Sequence, residues 1–250
     1  MANRFYAPGE QRSEKVGDLF ATIARRYDLI NDIQSLGLHR RWKRRLVNLA
    51  QVHPGQRALD ICCGTGDIAF ELAARGAEVV GLDFSEAMLT MARRRQKAEG
   101  RAQEAGAVAG AQTNPRFVRG EAEQIPFSDD SFEVVTVGYG LRNLASWETG
   151  VREMGRVAKA GGRLLMLDFG KPDNALWRGL YFAHLRLVVP LLGKVFCGDA
   201  AAYAYILESL EHYPAQRGVA AKMRELGLVN IRTVNLLGGI MSISCAEKSK

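Results

Sequence analysis

The sequence predicts an α/β protein built on an open, doubly wound, mostly parallel sheet, and three observations carry that prediction. The apolar run Leu59-Asp60-Ile61-Cys62-Cys63 opens into Gly64-Thr65-Gly66-Asp67, the pattern of a strand turning through glycines into a helix. A second apolar run, Val79-Val80-Gly81-Leu82, ends on Asp83, 17 residues after Gly66, about where the second strand of such a unit should end. Strand-like and helix-like segments then alternate as far as residue 170. With 250 residues at 47% hydrophobic content, one core is expected. We read a single domain over 1–250, with a helical cover over 1–50, a core over 51–170 and a second helical cover over 171–215.

Each element follows from local pattern. Val16, Leu19, Phe20, Ile23, Ala24 and Tyr27 recur at helical spacing, and Trp42, Leu46 and Leu49 suggest a second helix. The first strand is expected over Arg57–Cys62 and the following helix stops near Gly76. The second strand is Glu78–Asp83, after which Ser85 caps a helix bearing Met88, Leu89 and Ala92. Residues 98–115, rich in Ala, Gly and Gln without apolar periodicity, read as a flexible surface insertion. Arg116–Gly120 and Phe132–Tyr139 are the third and fourth strands, and Ser128-Asp129-Asp130-Ser131 has turn chemistry. A helix over Trp147–Ala158 stops at Gly161-Gly162, and Arg163–Phe169 is the fifth strand. The apolar stretch Ala175–Phe196 is interrupted by Arg178, His184, Arg186, Pro190 and Lys194, so it reads as a covering helix and not as a membrane span. Helices over 201–210 and 217–226 lead into strands Val229–Asn235 and Ile240–Ala246, for seven strands in all.

Composition narrows the function. No apolar leader begins the chain, so a cytoplasmic protein is expected. Four cysteines, with Cys62 and Cys63 adjacent, show neither metal spacing nor a secreted disulfide framework, and the four histidines are scattered, so no metal is predicted. The net charge is +7, and residues 1–50 hold ten Lys or Arg against five acids. The densest run, Arg40-Arg41-Trp42-Lys43-Arg44-Arg45, reads either as a solvated helix face or as a contact for nucleic acid or anionic lipid.

The glycine turn calls for a nucleoside cofactor, with Asp83 accepting the hydroxyls of an unphosphorylated ribose. Gly64-x-Gly66-x-x-Ala69 also fits the looser dinucleotide fingerprint. Charge separates the two. A pyrophosphate needs a helix N-terminus free of anions, whereas Asp60 and Asp67 flank this one and suit the sulfonium and ammonium of S-adenosylmethionine. Beyond the turn, Tyr139-Gly140-Leu141-Arg142-Asn143-Leu144 follows directly on the fourth strand, where ligands of open sheets bind. Arg142 and Asn143 there could stabilise an oxyanion on an aromatic acceptor, or Arg142 could pair a neighbouring carboxylate.

The chain resembles the ubiquinone and menaquinone biosynthesis C-methyltransferases. The resemblance rests on Phe20-x-x-Ile23-Ala24-x-x-Tyr27-Asp28-x-x-Asn31, Ser35-x-Gly37, Trp42-Lys43-Arg44, Glu121-Ala122-Glu123-x-Ile125-Pro126-Phe127, Gly140-Leu141-Arg142-Asn143, Asp168-Phe169-x-Lys171-Pro172 and Tyr203-x-Tyr205-Ile206-Leu207-Glu208-Ser209, and spans residues 16 to about 248. It implies a Rossmann-like, class I S-adenosylmethionine-dependent fold. The activity it implies is methylation of a ring carbon of a polyprenylated demethylmenaquinol; the benzoquinol precursor of ubiquinone, another small aromatic and RNA are the alternatives, with no nucleic acid expected as a partner. It implies Thr65, Asp83, Glu121, Ala122 and Gly138 for the cofactor, beside Asp60, Gly64, Gly66 and Asp67 of the turn. For catalysis it points to Arg142, Asn143 and Tyr27, with Asp28 orienting. The covering helices over 174–210 would hold the prenyl tail, and collecting it from a bilayer implies peripheral contact with the membrane's inner face. Ala160 in place of the usual proline, Ser244 where relatives often carry histidine, and the added length at 98–114 depart from the pattern.

Overall fold

The computed structural model describes residues 12, 15, 16, 32, 35, 37–104, 114–197 and 201–250. Helix α1 (Leu38–Ala50) precedes strand β1 (Arg57–Ile61), helix α2 (Asp67–Ala73), strand β2 (Glu78–Asp83) and helix α3 (Glu86–Glu104). Strands β3 (Arg116–Arg119) and β4 (Phe132–Gly138), helix α4 (Trp147–Val157) and strand β5 (Ala158–Phe169) follow. Helices α5 (Ala175–Cys197), α6 (Ala201–His212) and α7 (Ala215–Glu225) then lead to strands β6 (Val229–Leu236) and β7 (Met241–Glu247).

All seven strands form one sheet in the order β3-β2-β1-β4-β5-β7-β6. Only β7 runs against the rest, pairing antiparallel with both β5 and β6. The chain reverses its direction of winding between β1, which pairs β2, and β4, which pairs β1 on the other side. A crevice opens outside the strand ends at such a reversal.

The strands are continuous apolar runs because both faces are covered. Leu59, Ile61, Leu82 and Val135 are fully buried on the face covered by α4 and the helices after β5, and Ala58, Val134 and Leu165 on the face covered by α1, α2 and α3. Each such leucine or isoleucine stabilises the fold by about 1.5–3 kcal/mol. Ser146 caps α4, its side chain accepting from the Thr149 N–H at 3.1 Å.

Two expectations are corrected. The fifth strand begins at Ala158, because Gly161, at φ 72°, and Gly162 form a bulge within β5 and do not break it. The register jumps from Phe132 opposite Ala158 to Val134 opposite Arg163, while Gly161 N–H donates to Lys248 O and Lys248 N–H to Gly162 O, both at 2.9 Å. Helix α3 also runs into the expected insertion, as far as Glu104; an Arg95–Glu99 pair at 2.8 Å, one turn apart, supports it there. Residues 105–113 and the expected helix around Leu19–Tyr27 lie outside the described residues.

Candidate functional site

At the end of β1 the chain must turn beneath β2, and the residues that permit it have left-handed backbone: Cys62 (φ 51°), Gly64 (φ 56°) and Gly66 (φ 90°). A Cβ on Gly66 would sit 2.9 Å from both Phe70 and Phe117, so only glycine fits. Asp83, at the tip of β2, ties this turn to the start of α3. Its Oδ2 accepts from Gly64 N–H at 2.8 Å and its Oδ1 from Ser85 N–H at 2.9 Å. Burial pushes the Asp83 carboxyl up to about 6 against those hydrogen bonds, and Glu121 adds to the rise.

A cavity lies over this turn. Its wall includes Gly64, Asp83, Glu121, Gly138 and Asn143 from the sequence expectations, joined by Val16, Cys62, Phe84, Met88, Tyr139, Gly140 and Leu144. Asp60, Thr65, Gly66, Asp67, Ala122 and Arg142 are absent from that wall. Tyr27 and Asp28 lie outside the described residues. Sequence reasoning missed Phe84 and Met88. Their signal was the Asp83–Ser85 corner, which swings the first turn of α3 over the cavity.

The two acids that argued for a cationic cofactor behave differently from expectation. Asp67 turns to protein cations, 2.7 Å from Lys43 Nζ and 2.5 Å from Arg95 Nη1. Burial opposes its ionisation, but Lys43 and Arg95 outweigh it and hold the carboxyl at about 2. Asp60 is 1% exposed, and one oxygen accepts from Thr136 Oγ1 at 2.8 Å while Oδ2 has no hydrogen-bond partner. Burial lifts it to about 7. The acids that line the wall are therefore Asp83 and Glu121.

After β4, Tyr139 adopts φ 62° and the chain makes a single 3₁₀ turn, Leu141–Asn143. Of the two readings of Arg142, facing the ring or pairing a neighbouring carboxylate, the structure shows the pairing. Its guanidinium is 8% exposed and pairs with Asp168 at 3.0 Å, donates to Tyr139 O at 2.7 Å, and lies 4.6 Å over the Phe169 ring. Its backbone N–H donates to Asp168 Oδ2 at 3.2 Å, and Arg12 donates to its carbonyl. Burial drives the Asp168 carboxyl upward, with Arg142 opposing. Asn143 reaches the cavity with its amide oriented at both ends: Nδ2 donates to Tyr139 O, and Oδ1 accepts from the buried Tyr205 hydroxyl, both at 3.0 Å. Asp168 and Tyr205 thus join the site as partners not foreseen in these roles, although both stood in motifs already noted. Ser244, 3% exposed, sits within β7 opposite Met166 and Thr233.

A sequence model described as the ubiE/COQ5 methyltransferase family matches residues 9–248. The chain is 41% identical over 239 residues to the ubiquinone/menaquinone biosynthesis C-methyltransferase UbiE of Ectopseudomonas mendocina, covering 94% of this chain and 90% of that protein. It is 38% identical over 245 residues to a demethylmenaquinone methyltransferase of Desulfitobacterium hafniense, covering 97% and 93%. In fold it resembles phosphoethanolamine N-methyltransferase 2 of Haemonchus contortus, solved in complex with S-adenosyl-L-methionine. That match has a TM-score of 0.60 at 14% identity and covers 84% of this chain and 53% of that one.

Proposed function

The chain belongs to the ubiE/COQ5 methyltransferase family, and from that premise we propose that it methylates a ring carbon of a polyprenylated demethylmenaquinol to give the menaquinol. The observation that carries the reading is the juxtaposition, around one cavity, of Asp83 and the Gly64 turn on one side and Asn143 on the other.

The residues fit S-adenosylmethionine. A carboxylate offers about four acceptor positions, so Asp83 retains capacity for ribose hydroxyls after meeting Gly64 and Ser85. The unpartnered Asp60 Oδ2 is an acceptor behind the turn suited to a cation. Gly64, Thr65, Gly66 and Asp67 form the turn, Glu121 extends the wall beyond β3 with Ala122 buried next to it, and Gly138 admits close approach. When bound, S-adenosylmethionine supplies an electrophilic methyl group: its carbon–sulfur bond breaks as the ring carbon–methyl bond forms, and the ring carbon then loses its proton.

The acceptor ring reacts as its phenolate, and a phenol ionises near pH 10 (about the tyrosine value). Asn143 and Tyr27 hydrogen-bond the ring oxygen or a water that takes its proton, with Asp28 orienting. Arg142, held by Asp168 behind the cavity wall, contributes its charge at that remove and positions Asn143 through Tyr139 O, to which both side chains donate. Tyr205 holds the Asn143 amide in one orientation. Holding methyl and carbon at attack distance in a dry pocket provides much of the remaining rate.

The domain reading stands as part of this proposal, with residues 51–170 as the core and 1–50 and 171–215 as the covers. Among the described residues no helix is long and apolar enough to cross a membrane. A peripheral position on the cytoplasmic face suits a lipid-tailed substrate, and of the basic run Arg41, Arg44 and Arg45 remain exposed, while Lys43 is committed to Asp67 and Arg40 to Asp32.

The test is methyl transfer from labelled donor to demethylmenaquinol and, in parallel, to the demethylated ubiquinol precursor. Label in demethylmenaquinol is the expected result. Label in RNA and never in quinone would defeat the proposal.

A further inference from the structure

Helix α5 carries an apolar stripe that the methyl-transfer site does not use. Its inward face holds Tyr181, Leu185 and Val189, each at most 5% exposed. The line diametrically opposite such a face is ordinarily the most polar part of a helix. Here that line reads Leu176, Leu180, Ala183, Leu187, at the spacing i, i+4, i+7, i+11 of one helical face. Its leucines are 76%, 56% and 70% exposed. Trp177 and Val188 flank it, and Leu237 extends it: the Trp177 indole N–H donates to Leu237 O at 3.0 Å, and Leu237 is itself 52% exposed. Scattered exposed leucines need no explanation, but a contiguous patch on the outermost line of a helix marks a contact.

The charges of the helix itself are of one sign. From Ala175 to Cys197 the helix carries Arg178, His184, Arg186 and Lys194 and no carboxylate. Arg178 donates to Pro172 O at 2.9 Å, and Arg186 reaches Glu211 at 3.4 Å with both side chains exposed, a pair too weak to hold it.

We propose that this face of α5 docks on an anionic lipid leaflet, the helix lying in the plane of the interface with Leu176, Leu180 and Leu187 in the acyl boundary and Arg186, on the flank of the stripe, at the phosphates. Exposed leucines with a tryptophan at their margin, on a helix whose charged residues are all cationic, are the composition of an interfacial helix. The placement also serves the reaction. Tyr181, on the inward side of the same helix, belongs to the buried cluster that also holds Leu141, so docking leaves only the thickness of the helix, ~10–12 Å, between the lipid boundary and that cluster.

The inference rests on the quinol reading only for the reason a methyltransferase would seek a bilayer. The two can fail separately, because docking is measured without quinol and methyl transfer to a short-tailed quinol without vesicles. The experiment is flotation of the full chain with phosphatidylcholine vesicles, plain and doped with phosphatidylglycerol. The wild type is expected to bind the doped vesicles more tightly, and Leu180→Glu with Leu187→Glu to lower partition by at least about tenfold. Donor binding by titration calorimetry should stay unchanged, with Leu176→Gln and Leu180→Gln as a milder pair reporting the same loss should the first pair misfold. A variant that floats like the wild type overturns the proposal, as does a wild type that binds neither vesicle. So does a wild-type dimer that the Leu180/Leu187 variant converts to monomer with vesicle binding intact, which would assign the stripe to a second copy of the chain.

Discussion

Replacing Asp60 with Asn should make the donor-free protein more stable at alkaline pH and a poorer binder of its donor. Asp60 is 1% exposed, accepts from Thr136 Oγ1 at 2.8 Å, and leaves Oδ2 without a partner. Burial raises its carboxyl from the ordinary 3.8 to about 7, a difference of about 4 kcal/mol between its charged and neutral forms. The folded value lies above the unfolded one, so the folded state holds a proton that the unfolded chain releases between about pH 4 and pH 7. The stability this group contributes is complete below that window and lost above it. The Asn side chain keeps an acceptor for Thr136 and carries no charge, so it resembles the protonated acid. Urea denaturation without donor should therefore show the two proteins nearly equal at pH 4.5 and Asp60→Asn ahead at pH 8.5 by about 2–4 kcal/mol, or roughly 4–16 °C in Tm. In the same variant, donor affinity should fall about tenfold or more, because a charge-assisted acceptor is gone. If Asp60→Asn is no more stable than wild type at pH 8.5, the ionised carboxylate is compensated inside the folded protein and the reasoning fails. If donor affinity is unchanged, Asp60 does not serve the cofactor.

Two further predictions address the other side of the cavity. Arg142→Met and Asp168→Leu should each cost about 3–5 kcal/mol, because each strands a buried charge, while the double variant costs less than either sum would suggest; strictly additive urea midpoints would show that the pair is not coupled. Gly138→Ala puts a Cβ 2.5 Å from Ile68 Cδ1 and should destabilise by about 1–3 kcal/mol. Ile68→Val removes that carbon and should recover most of the loss in thermal unfolding, unless the substitution acts through the cavity and not through Ile68.

Where a property depends on chain-local pattern, the sequence made it legible. Strands buried on both faces are continuous apolar runs, and β2 falls on its expected residues, Glu78–Asp83. Boundaries moved where long-range pairing overrode local signals, as at the β5 bulge, where the end of β7 supplies the hydrogen bonds that two glycines forgo. Side-chain partners were the least legible part of the site. Lys43 meets Asp67 across 24 residues, Arg142 meets Asp168 across 26, and Tyr205 meets Asn143 across 62. Nothing in the spacing of those residues says which way each side chain points once the strands are in register.

That gap bears directly on how the site selects its cofactor. Two carboxylates flanking the turn would repel a diphosphate only if both were ionised and uncompensated, yet Asp67 is neutralised by Lys43 and Arg95, and Asp60 is driven toward its neutral form. Repulsion at the helix N-terminus is therefore weaker than composition suggests. What remains specific is the arrangement of acceptors. Asp83 is locked by the Gly64 and Ser85 N–H groups at the edge of the cavity, and Gly64 N–H, turned onto that carboxylate, is withdrawn from any phosphate. A dinucleotide site needs its glycine-turn N–H groups free for an anion. This turn spends one of them on an acid of its own chain, and that commitment, more than net charge, favours a cofactor that needs acceptors for its hydroxyls and its cationic groups.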